Sequence, residues 1–313
     1  MLASRISHFR SCRPTFGRHV TQSLYATAKP EGVGATIRRS FPVLGFRLHD
    51  PFLALDDFAV GPQGGFPDHP HRGFETSVKQ PVDEAEYGQD EAVITHGLQL
   101  WANLSKKDKM CVPAYQDLRD QAIPRVRPTA GVEIKVIAGA SHEVESKIYA
   151  RTPTMYLDFR MDRNTSVDQA IPKEYVGFVY MVSGKAYFGD KKKTKDGSGE
   201  EKDVSTSKTN SNIKTNHRIQ EPFEGTEHHS LILSQGGEGS ETLHIETKGV
   251  PAHFVLFAGL PTGEPSIRSD LFVMNSKEEV QQALEDYRGG KNGFENAKTW
   301  RSNIAPKGYR LKF

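Results

Sequence analysis

Two cysteines in 313 residues, Cys12 and Cys111, are too few for a disulfide framework, which argues against a small, cross-linked secreted fold. No apolar run reaches the roughly 18 residues that a membrane-spanning helix requires, so no membrane partner is expected. Charge of one sign is lacking as well. With 41 basic residues against 39 acidic ones, the net +2 gives no reason to expect direct nucleic-acid binding. Long helical periodicity is scarce, and 28 glycines and 18 prolines cut the chain into short pieces. The 36% hydrophobic content is enough to build a core, which excludes whole-chain disorder. The length suits two ordinary domains or one large one.

Acid is absent from the first thirty residues, and Glu31 is the first carboxylate. The same stretch carries Arg5, Arg10, Arg13 and Arg18 among Ser and Thr, with no unbroken apolar core. Basic, hydroxylated and acid-poor, it reads as a mitochondrial presequence over residues 1–28, with cytoplasm or nucleus as the alternative location. Those residues are expected to lie outside the fold.

Beyond the presequence, short β-rich pieces recur between turn signals. Strands are expected within 36–60, in FETSVKQ after Gly73, in GLQLWANL (97–104) and in VEIKVIAGA (132–140). They continue in TMYLDFRM (154–161), 175–190, HSLILSQG (229–236), TLHIET (242–247) and AHFVLFAG (252–259). Such spacing points to sandwiches or barrels. The polar stretch 191–221 reads as a solvated insertion, its Lys191–Lys193 run included. One clear helix follows at 276–290, capped by Ser276 with Glu279 completing a capping box, faced by Val280, Ala283, Leu284 and Tyr287, and stopped by Gly289.

The chemistry concentrates in Asp68-His69-Pro70-His71-Arg72. On a strand, His69 and His71 share a face, and Glu75 falls on the same face four residues later. Two neutral imidazoles and a carboxylate suit ferrous iron, manganese or zinc. Asp68 and Arg72 are expected to point the other way. By itself an H-x-H is weak evidence, since two strand histidines are more often surface residues.

DPFLALDDF, GFPDHPHRGFET, GLQLWANL, TPTMYLDF, AGLPTGEP and FVMNSKEEV with DYRGG occur in one order between about Gly32 and Gly293. Together they closely resemble the pirin family. The resemblance implies an all-β bicupin: two antiparallel β-barrels of jelly-roll type with a short C-terminal helix. It divides the chain into an N-terminal cupin at 29–125, a C-terminal cupin at 132–293 carrying the 191–221 insertion, and a tail at 294–313. It also implies a non-haem Fe(II) in the first barrel and two activities. One is cleavage of a flavonol by a quercetin 2,3-dioxygenase reaction. The other is a non-catalytic role in which the iron redox state tunes binding to a transcription factor. The expected partner is accordingly a small aromatic substrate or a protein, and the expected state a monomer.

The pirin pattern has four ligands: the two histidines of the H-x-H, here His69 and His71, and a His and a Glu from a Gly-rich H-x-E downstream. No such H-x-E follows FETSVKQ here. The gap is expected to remove roughly 40 residues, enough for central strands of a barrel. The first barrel is therefore expected to be incomplete and its iron weak or absent, with His69, His71 and Glu75 as the surviving donors. His96 and the His244-Ile245-Glu246 motif are poor substitutes, His228-His229 reads as structural, and Cys111 as a bystander. A fluorescent protein fused to residues 1–40 is expected to enter mitochondria. Retention in the cytosol or entry into the nucleus would refute the targeting reading.

Overall fold

The computed structural model describes residues 17–41, 49–66, 68–79, 94–189, 221–235, 241–269, 271–299 and 301. The insertion 191–220, the acidic stretch 81–92 and the first sixteen residues lie outside this set. All ladder pairs within the sheets are antiparallel, as the alternating, turn-bounded sequence requires.

The C-terminal half forms a ten-stranded sheet. Its long strand Val176–Phe188 changes partners midway. The first part pairs with Ala252–Gly259 and His229–Leu233, and the last part with Phe223–Thr226 and Thr242–Glu246. The turn between these parts falls at Gly184, whose φ is 73° and where a Cβ would collide with the Pro251 carbonyl. The two arms enclose a core of Leu157, Phe159, Val179, Met181, Phe188, Leu243, Ile245, Phe254 and Leu256.

The N-terminal half is a five-stranded sheet in the order Ala28–Pro30, Val33–Phe41, Phe52–Gly65, Thr95–Asn103, Phe74–Lys79. Among the described residues it stays open, with Ala28–Pro30 and Phe74–Lys79 at its edges. Its inner face carries Phe41, Phe52, Leu55, Leu98 and Leu100. These pack on Tyr156, Phe178, Tyr180 and Phe257, the alternate residues of the same strands that fill the C-terminal core. The strands Thr154–Met161, Val176–Phe188 and Ala252–Gly259 are thus buried on both faces, which explains their near-continuous apolar runs. Burying each such side chain is worth about 1.5–3 kcal/mol. Tyr180 Oη also donates to Asp57 Oδ2 at 2.7 Å across the seam.

The two halves exchange ends. Val20–Tyr25 pairs with His229–Leu233 of the C-terminal sheet, so the expectation that residues 1–28 lie outside the fold is corrected. Arg18 is fully buried. Its Nη1 donates to Tyr175 O and Ser234 O, and its Nη2 to Pro172 O and Lys173 O, at 2.7–3.3 Å. The basic composition that suggested an address continues into a strand whose exposed side is polar. At the other end, the hairpin Ile267–Ser269 with Phe272–Met274 and the helix Lys277–Gly289 leave the C-terminal sheet. Val273 joins Leu53, Ala54, Phe74 and Trp101 of the N-terminal sheet in one cluster. The helix begins at Ser276, which accepts from Glu279 N, and ends at Gly290 in the left-handed conformation, one residue beyond the expected Gly289. Phe294, assigned to the tail, is buried against Phe272 and Ala283.

Deleting residues 1–16 is expected to leave the melting temperature within about 2 °C of the full chain, whereas deleting 1–28 removes Arg18 and an edge strand and lowers it by roughly 10 °C or more. Calorimetry of the two truncations checks this. Equal melting of both would show that the N-terminal strand contributes nothing.

Candidate functional site

His69 and His71 lie before the edge strand Phe74–Lys79, not on the strand itself. Their rings still come together, with centroids 4.8 Å apart. His71 packs on Phe74 at 4.9 Å and on Trp101 at 5.3 Å, and those two rings stack on each other at 4.5 Å. The Arg268 guanidinium covers Trp101 at 4.6 Å from the ring centroid. His71 Nε2 is buried and has no hydrogen-bond partner. A buried imidazole nitrogen left unpaired is costly in a protein alone, and beside a second imidazole it fits a borderline divalent cation as one donor of a pair.

Glu75 does not join them. Gly73, at φ 87°, sits between the histidines and the strand and resets the alternation. Phe74 therefore takes the His71 side, and Glu75 faces away. Its carboxylate accepts the backbone N–H groups of Arg151 at 3.2 Å and Thr152 at 2.9 Å. The expected shared face for His69, His71 and Glu75 is corrected on this point. Among the described residues no three His, Cys, Asp or Glu side chains gather as a metal set. The residues present fit a metal ion as two donors.

Arg72 points away from the histidines, as expected, and is buried. Its Nη1 donates to Asp286 Oδ2 at 2.8 Å, its Nη2 to Asn292 O, and its guanidinium covers Phe294 at 4.2 Å. Burial acts to raise the Asp286 pKa, but the hydrogen bonds from Arg72, Gln282 and Asn292 prevail and hold it below the usual carboxylate range. The buried Lys109 donates from Nζ to Gly73 O, Asn103 Oδ1 and Val273 O at 2.7–3.0 Å. Asp286 opens the DYRGG motif, but nothing in that motif marks it as a partner of Arg72, and no local sequence pattern marks Lys109.

A family model for the pirin C-terminal cupin domain matches residues 156–293. The pirin of Mus musculus is 37% identical over 319 residues, covering 92% of this chain and 98% of that protein. A pirin-like protein of Solanum lycopersicum is 37% identical, covering 91% of this chain and 96% of that one. The chain belongs to the pirin family. Its fold is that of cupins related to quercetin 2,3-dioxygenase: the structure of that enzyme from Acinetobacter baumannii superposes with a TM-score of 0.68 at 20% identity, covering 88% of this chain and 99% of that one. The alignment with the mouse pirin is longer than the 313 residues of this chain, so that pirin carries residues with no counterpart here.

The histidines His96, His228 and His244 lie elsewhere in the fold. His96 pairs in register with Ala59 on the strand Thr95–Asn103. His244 is buried rather than half-buried, with Nδ1 on Asp168 Oδ1, while Glu246 pairs with Lys248 at 2.6 Å, so the H-x-E is not a chelate. His228 takes φ 62° in the turn between Phe223–Thr226 and His229–Leu233. Cys111 is a free thiol in a loop.

The His71 pKa is pushed down to about 4, first by burial and then by His69 and Arg268. An unfolded histidine titrates near 6.5. The unfolded chain therefore takes the proton first as pH falls. The stability tied to a neutral His71 is present above pH 6.5 and is lost as pH drops toward 4, by at most about 3 kcal/mol. In the metal-free protein, NMR titration is expected to show the His71 ring neutral at pH 5. His71→Gln is expected to lose less stability than the parent between pH 6.5 and 4. A His71 midpoint near 6.5 would overturn this.

Proposed function

We propose that this pirin keeps a metal centre reduced to two imidazoles, His69 and His71, which takes up Fe(II) weakly and supports little or no quercetin 2,3-dioxygenase turnover. The observation that carries the reading is the unpaired, buried His71 Nε2 beside His69, with Glu75 held by the amides of Arg151 and Thr152. The remaining donors of the pirin pattern would lie in residues that the relatives have and this chain lacks. When bound, the iron would supply O2 and flavonol activation. The chain's own part is to hold His71 neutral and ready to donate, and to shield it from water with Phe74 and Trp101. Two protein donors leave most positions on the ion to water, and losing ordered surroundings typically costs a further 10–100-fold in affinity.

A second reading, a non-catalytic cofactor that docks on a protein partner, is supported by the exposed apolar residues Met110, Val112, Tyr115 and Tyr149. The Gln116 side chain donates to Tyr149 O at 2.6 Å and accepts from Tyr149 N at 3.0 Å, which holds the two segments together. We also propose mitochondrial location, with the address confined to the residues before Arg18, and a monomer.

Elemental analysis of the purified chain after desalting, with O2 uptake on quercetin, tests the first reading. Iron is expected well below one per chain, lower still in His69→Ala, with O2 uptake near background. Inserting a pirin segment bearing H-x-E after Thr76 is expected to raise both. Tight one-to-one iron in the parent would show the centre to be intact, and equal iron in His69→Ala would show that His69 is not a ligand.

A further inference from the structure

The backbone that carries His69 and His71 lies outside the ladder of the N-terminal sheet. Its anchors on the C-terminal side come from the opposite end of the chain. Arg72 N donates to Leu271 O, and Val273 N donates to Arg72 O at 3.0 Å, a parallel bridge to Phe272. Arg72 is fastened by Asp286, 214 residues away, and by Asn292 and Phe294. Asp286 itself is fixed by Gln282 and Asn292, each 2.9 Å from Oδ1. Gly73 fits against the Val273 carbonyl, where no Cβ could go, and Lys109 ties Gly73 O to Val273 O. Arg268 of the same segment backs Trp101, the wall of the His71 pocket. Apart from the two that fix Asp286 within the arm, these contacts fall on the two residues after His71 or on the ring beside it.

We propose that the C-terminal arm, residues 267–294, is the positioning element of the imidazole pair, with Asp286 as the positioning residue that sets His71 through Arg72. A fold-stabilising ion pair could sit anywhere between the two halves. This one is buried and ends on the peptide next to a candidate metal donor. Cutting it would leave the backbone bonds of Arg72 to Leu271 and Val273 and the Lys109 contact to Gly73 as the hold on this segment, and the relative orientation of the two rings would relax. The proposal rests on the reading of His69 and His71 as metal donors.

The test uses the full-length chain and Fe(II) under anaerobic conditions, measured by calorimetry, with long-range NMR correlations of the histidine rings in the metal-free protein. Asp286→Asn removes the charge while keeping an acceptor. It is expected to weaken Fe(II) binding about 10-fold. It is also expected to shift the ring signals of His69 and His71, leaving those of His228, His229 and His244 in place. Asp286→Glu is expected to recover part of the affinity. Should Asp286→Asn fail to fold, Phe294→Leu removes the ring beneath Arg72 without burying a lone charge and is read the same way. If His71→Ala loses Fe(II) while Asp286→Asn binds as the parent does with unchanged ring signals, the arm is structural and the proposal falls, with the metal reading intact. If His71→Ala binds Fe(II) as well as the parent, the metal reading falls and this proposal with it.

Discussion

Three strands buried on both faces hold the molecule together. Thr154–Met161, Val176–Phe188 and Ala252–Gly259 send alternate side chains into two separate cores. Phe254 and Leu256 fill the interior of the C-terminal sheet, while Val255 and Phe257, one residue out of phase, form the floor of the N-terminal one. A substitution on either face is felt by both, because the pleat passes any backbone shift through the strand. The N-terminal sheet, open at its edges among the described residues, obtains from this wall the second layer that a lone five-stranded sheet lacks.

The exchange of ends reinforces that wall with polar contacts. Arg18 and Val20–Tyr25 are given to the C-terminal sheet, and residues 267–294 are given back to the N-terminal half. Each exchanged piece is fastened through a buried arginine: Arg18 on the first donates to carbonyl oxygens, and Arg72 of the N-terminal half donates to Asp286 on the second. Breaking such a pair leaves an uncompensated buried charge, so each piece is held more firmly than its few apolar contacts would achieve. The division of the chain into a first and a second cupin is therefore not collinear with the sequence.

The parts legible in sequence were those decided locally. TMYLDFRM and AHFVLFAG became strands at the expected residues because long β-branched and aromatic runs bounded by Pro and Gly have few alternatives. The capping box around Ser276 was equally local. Val20–Tyr25 was obscured because only Val20 of its six residues is fully buried, so it shows little hydrophobic period, and its neighbours share the composition of an address. Glu75 was misplaced because period-two counting assumes unbroken extended backbone, and Gly73 interrupts it. The nearness of the two rings of the H-x-H was legible in the sequence. The arm that anchors it was not, since nothing near Arg72 announces a partner 214 residues away.

That separation also orders events in time. Residues 69–73 leave the ribosome well before Asp286, Asn292 and Phe294, which are made more than two hundred residues later. At about 5–20 residues per second, some 10–40 s pass between the synthesis of Arg72 and that of its carboxylate partner. Throughout that interval the nascent chain carries His69 and His71 without these anchors, and the arginine remains hydrated. The anchoring of residues 69–73 is therefore finished only after residue 294 has been made, and a polypeptide that stalls before Asp286 would present both histidines without the contacts that Arg72 makes in the finished fold.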